Sequence, residues 1–142
     1  MKETRPEEAP GPEEAAARAA EEERARRIEV EFLEGVRARL PSHPAVVESL
    51  GCLYTEMGRY QDGLRADREM VKMTPDSPNA WYNLACSLSL TGQADDAFAA
   101  LEKAIGLGYD DAEWMQDDDD FEPIKKDPRF VRLLAQLLAR KA

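Results

Sequence analysis

The chain has 142 residues, 43% hydrophobic and 7% aromatic, with 29 acidic against 19 basic side chains and a formal charge of −10. That length suits one domain burying roughly two-thirds of its unfolded surface. The charge argues against nucleic acid, whose phosphates are held by clustered Lys and Arg, and against an anionic membrane surface.

No apolar run approaches the ~20 residues of a membrane span. Two cysteines, with no apolar leader after Met1, predict a reduced cytoplasmic protein. Along the chain, residues 1–12 carry three prolines and no large apolar side chain, which predicts a disordered tail. From residue 13 to 40 the composition turns to Ala, Glu and Arg and predicts one long helix. Glu14–Arg18, Glu22–Arg26 and Glu23–Arg27 support it as i, i+4 pairs. Ile28, Phe32, Leu33, Val36 and Leu40 fall on one face, so its back half is expected to dock on a core while its front half stays solvated.

A shift of 34 residues then superposes Pro44 on Pro78, Leu50 on Leu84, Cys52 on Cys86, Gly58 on Gly92, Asp62 on Asp96, Ala66 on Ala100 and Asp76 on Asp110. Chance supplies about two identities over such a span, so residues 44–77 and 78–111 are two copies of one unit. In each copy a proline suits the first helical turn, with Ser77 as a cap for the second, and a glycine supplies the tight turn. The expected helices are Pro44–Glu56 and Tyr60–Met73, then Pro78–Leu90 and Ala94–Leu107.

Beyond Gly108, residues 110–127 hold nine acidic side chains against Lys125 and Lys126, with a short helix expected over Glu113–Gln116. Asp127-Pro128 starts a last helix carrying Phe130, Val131, Leu133, Leu134, Leu137 and Leu138, and ending in Arg140 and Lys141. Trp114 and Met115 are expected to pack the second unit against this helix. Two hairpins alone do not enclose a core, so residues 13–40 and 112–142 act as caps of one domain spanning 13–142.

The second unit, with Trp81, Leu84, Ala85, Leu88, Gly92, Ala97, Leu101 and Ala104, closely resembles the tetratricopeptide repeat family. The first matches at Leu50, Gly51, Tyr54, Gly58 and Pro75 and departs at Gly63, Asp67 and Met70. The resemblance implies an all-α fold, a short right-handed α-solenoid. It also implies a concave groove lined by Ala45, Glu48, Cys52, Thr55, Glu56, Asn79, Tyr82, Cys86, Ser89 and Leu90. Family members that grip chaperone tails place Lys and Asn where Glu48 and Cys52 stand here, which disfavours that ligand. A peptide with basic residues and an apolar side chain, held against Tyr82 and Leu90, fits better.

At Asp67, where the family packs a bulky residue, the carboxylate is expected to stay partly solvated or meet a basic partner, since an unpaired buried charge is costly.

Candidate chemistry is sparse. His43 is the only histidine and sits with Ser42 in a turn. The run Asp117–Asp120 has no glycine between Asp110 and Phe121 to shape a calcium loop and is expected to be a solvated acidic loop. Cys52 and Cys86, one repeat apart on helices ~8–10 Å from each other, are expected as free thiols. No catalytic residue, cofactor or metal site is assigned. The expected function is a non-catalytic scaffold or adaptor for a protein or peptide partner. The alternative is a module that homodimerises through an apolar face of the terminal helix.

Overall fold

The computed structural model describes residues 8–140, and the expected tail therefore lies, up to residue 7, outside the described residues. The chain runs α1 (Pro12–Arg39), α2 (Pro44–Glu56), α3 (Tyr60–Met73), α4 (Pro78–Leu90), α5 (Ala94–Gly106), α6 (Ala112–Asp117), a 3₁₀ turn (Asp119–Phe121) and α7 (Pro128–Arg140). No strand occurs among the described residues. Proline occupies the first turn of α1, α2 and α4, where its missing N–H costs nothing.

The two hairpins, α2–α3 and α4–α5, turn at Gly58 and Gly92 with φ of 75° and 76°. At that φ a Cβ is disfavoured, and glycine lets the next amide reach back. Arg59 N donates to Tyr54 O at 2.8 Å and Gln93 N to Leu88 O at 2.9 Å. Ser77 caps α4, its hydroxyl accepting from Ala80 N at 3.2 Å. The helices stack in chain order as a short α-solenoid.

The core forms two clusters. Val30, Val47, Leu50, Leu53, Tyr54, Ala66, Met70 and Ala80 gather around α2. A larger one joins α4 and α5 to Phe121, Ile124 and the Phe130, Leu133 and Leu137 face of α7. Val71 of α3 packs on both.

The two hairpins trade volume at matched positions. A Cβ on Gly63 would come 2.9 Å from Thr55 Oγ1, so glycine is what lets Thr55 approach α3. In the second repeat the same pair is Ser89 and Ala97, a smaller residue facing a larger one.

Three expectations are corrected. The docked face of α1 is centred on Val30, with Leu33 and Val36 at its edge, whereas Ile28, Phe32 and Leu40 are exposed. Trp114 does not pack against α7; it is 63% exposed, while Met115 takes the buried place. Asp67 is neither solvated nor paired with a base. It is 7% exposed and accepts a hydrogen bond from Ser87 Oγ at 2.5 Å. On α7, Leu134 packs partly on the core, and Val131 and Leu138 face outward.

Candidate functional site

The residues of the implied groove lie on α2 and α4, and the segment after α6 folds back against α4. Asp118 begins that return. Its Oδ1 accepts from Asp120 N at 3.0 Å, and its Oδ2 accepts from Tyr82 OH at 2.7 Å and faces Cys86 Sγ at 3.8 Å. Phe121 follows into the core, edge-on to Tyr82 at 5.4 Å and tilted on Phe130 at 5.6 Å. Tyr109 stacks on Tyr82, ring centroids 4.3 Å apart. The run expected as a solvated loop is thus a strap: Asp117 and Asp119 point outward, Asp118 and Asp120 are half-buried, and Phe121 is fully buried. A single phenylalanine within an acidic run is the signal that marked it, because only Phe121 and Ile124 can anchor those residues to a core.

The strap divides the ten residues of the implied groove. Tyr82 and Cys86 are buried against it, and Ser89 is buried as well. Ala45, Glu48, Cys52, Glu56 and Asn79 are exposed, and Thr55 and Leu90 are half-buried.

What remains open is a pair of adjoining hollows. One, of ≈ 510 Å³, is bounded by Glu48, Asn79, Asn83, Tyr109, Asp110, Asp111 and Trp114. The other, of ≈ 390 Å³, is bounded by Cys52, Thr55, Glu56, Asp67, Asn83, Cys86, Asp120 and Trp114. Asn83 and Trp114 line both and stand between them. Neither lining holds a Lys or Arg. Asn83, Asp110 and Asp111 are additions that repeat positions alone did not supply. Trp114 is held at the rim because Asp111 caps α6, accepting from Trp114 N at 3.0 Å.

The electrostatics of this face follow from burial without cations. Burial pushes the Asp67 carboxyl up to about 6, the Ser87 hydrogen bond opposing. Burial also raises Asp120, with Asp118 and Asp119 adding to it. Both thiols are pushed up by burial, then by neighbouring carboxylates: Asp67 first for Cys52, Asp118 first for Cys86. Such thiols are poor nucleophiles, because the thiolate is the reactive form. Both cysteines are free.

Cys86 Sγ and carboxylate oxygens of Asp118 and Asp120 lie within 4.8 Å of one another. These are the groups that could hold a metal ion. Asp118 also accepts from Tyr82 OH and Asp120 N and faces Cys86 Sγ. His43 precedes α2 as an exposed turn residue whose side chain makes no cap hydrogen bond.

Comparison with known proteins agrees with this architecture. Residues 68–99 match the family model of the tetratricopeptide repeat. The chloroplastic protein Met1 of Arabidopsis thaliana is 33% identical over 89 residues, which cover 61% of this chain and 27% of that protein. The chain thus corresponds to about a quarter of that relative. The solved structure of MamA MSR-1 C2 superposes with a TM-score of 0.64 at 21% identity, covering 83% of this chain and 70% of the other. The chain is thus similar to the tetratricopeptide repeat over residues 68–99, and it shares its fold with that solved structure over 83% of its length.

Proposed function

We propose that the chain is a non-catalytic scaffold that holds a peptide segment on its concave face, the segment supplying basic residues and one apolar side chain. The observation that carries this reading is Trp114. A large aromatic ring 63% exposed, between two hollows walled by Glu48, Glu56, Asp110 and Asp111, offers one apolar platform in an acidic surround. Interface cores favour such aromatic anchors, and surrounding charge of one sign selects the partner and speeds encounter. Asn79 and Asn83 supply amides that can bond an extended backbone.

Tyr82 and Cys86 line the hollows but are only 5% and 7% exposed, so the contact shifts toward α2, Asn83 and Trp114. No helix among the described residues is long and apolar enough to cross a membrane. Isothermal titration calorimetry with peptides of matched length, one carrying Lys, Arg and Leu and one Asp, Glu and Leu, tests the reading. The basic peptide is expected to bind and the acidic one not. Trp114→Ala or the pair Glu48→Lys and Glu56→Lys should weaken binding at least tenfold, each 1.4 kcal/mol being a factor of ten. Equal binding of both peptides, or binding indifferent to these variants, overturns it.

A further inference from the structure

The surface of α1 that faces away from α2 carries Ile28 and Phe32, 61% and 68% exposed. One repeat length forward, Phe32 corresponds to Ala66 and then to Ala100, both buried. Ala66 lies against the first helix of its own hairpin: a Cβ on Gly51 of α2 would come within 3.4 Å of it. Phe32 thus occupies the position that in each hairpin faces an antiparallel helix. In α1 that helix is missing, because the chain runs unbroken from Pro12 to Arg39 through Arg24, where the turn glycine of a repeat would stand.

The uncovered face has a defined pattern. Glu21, Ala25, Ile28, Phe32, Gly35 and Arg39 follow one another at alternating four- and three-residue steps, the spacing of a coiled-coil seam, and all six are exposed. Laid antiparallel on itself, the seam is complementary. Ile28 meets the partner subunit's Phe32, Ala25 meets the partner subunit's Gly35, and Glu21 meets the partner subunit's Arg39. A two-fold axis generates each pair twice. The small pair beside the large one leaves room for the phenylalanine rings, and the ion pairs fix register at both ends.

We propose that this face of α1 is a homodimer interface whose occupant is α1 of a second copy, antiparallel and centred on Ile28 and Phe32. The partner helix fills the place that the first helix of a hairpin takes elsewhere in the fold. Glu29 and Glu31 border the seam near the axis and repel their counterparts. The contact, one helix per copy, is also small beside the ~1,200–2,000 Å² of a standard interface. The dimer is therefore weak, with a Kd of roughly 10–100 μM.

Sedimentation equilibrium of the full chain tests this. Its mass should rise from 15.9 kDa at low micromolar concentration toward twice that value at several hundred micromolar. Phe32→Glu should remain monomeric throughout with an unchanged melting curve, since Phe32 lies outside both core clusters. Glu21→Arg and Arg39→Glu should each weaken association roughly 2- to 10-fold, and the two together should restore it. Leu138→Glu on α7 should leave the dimer intact. A chain monomeric at every concentration overturns the proposal, as does a dimer that survives Phe32→Glu or is lost with Leu138→Glu. Failure of the double charge reversal to recover association also overturns it.

Discussion

Replacing Asp67 with asparagine isolates the cost of one buried carboxylate. The side chain is 7% exposed, has Ser87 Oγ as its hydrogen-bond partner, and has its carboxyl raised from 3.8 to about 6 chiefly by burial. Asparagine keeps the shape and still accepts from Ser87, so the perturbation removes the charge and little else. A folded-state pKa above the unfolded one means the native state binds the extra proton. Stability attributable to this group is then fully present below about pH 4 and lost as pH rises to about 6. Two pH units at 1.36 kcal/mol each give a penalty of about 2–3 kcal/mol above pH 6.

Asp67→Asn should therefore raise the melting temperature at pH 8 by about 5–10 °C and leave it nearly unchanged at pH 4. Thermal unfolding followed by circular dichroism at the two pH values reads the difference directly. An equal gain at both, or a loss at pH 8, would refute the reasoning, because the carboxylate would then be stabilised by something burial does not describe.

Gly63→Ala should bring no stabilisation despite the ~1 kcal/mol helix preference for alanine, because its Cβ meets Thr55 Oγ1 at 2.9 Å; adding Thr55→Ala should release that gain in a urea titration. Phe121→Ala empties a fully buried site shared with Tyr82 and Phe130 and should cost about 3–5 kcal/mol, with a rise in reaction of Cys86 with a thiol reagent as the strap loosens. Deleting residues from Asp127 onward removes Phe130, Leu133 and Leu137 from the larger cluster, each worth about 1.5–3 kcal/mol. The shortened chain should bind a hydrophobic dye and melt without a sharp transition.

The hairpins were legible because prolines and glycines punctuate them and the repeat is counted twice. The observed bounds of α2, α3 and α4 coincide with those read from the residues, and α5 ends one residue earlier, at Gly106. Periodicity was less informative where two stripes competed. In α1, Ile28 and Phe32 are larger than Val30, yet Val30 is the residue whose position matches the buried Leu64 and Phe98 of the later hairpins. Repeat register therefore outranks side-chain size.

The groove was legible only in part, because repeat positions say which side chains face inward and nothing about what lies over them. Asp118 and Phe121 cover Tyr82 through contacts 36 and 39 residues apart in sequence, a separation no local pattern encodes. Asp67 was legible as an anomaly; its partner Ser87, on the neighbouring hairpin, was not.

The meeting of two apolar clusters along α3 has a consequence for how the protein breathes. Leu64, Val71, Ala80 and the Asp67–Ser87 hydrogen bond span the boundary, so the segment around α1 and α2 has its own core and is joined to the rest through α3. Fluctuations should partition there: amides of α2 exchange with solvent through a subglobal opening, while those of α4 and α5, clasped by α7 and the strap, exchange only on complete unfolding. The hollow beside Cys52 and Glu56 straddles this boundary, with α2 on one wall and α4 on the other. Anything lodged in it joins the two halves, and slower exchange across α2 becomes a signature of occupancy that needs no knowledge of the occupant.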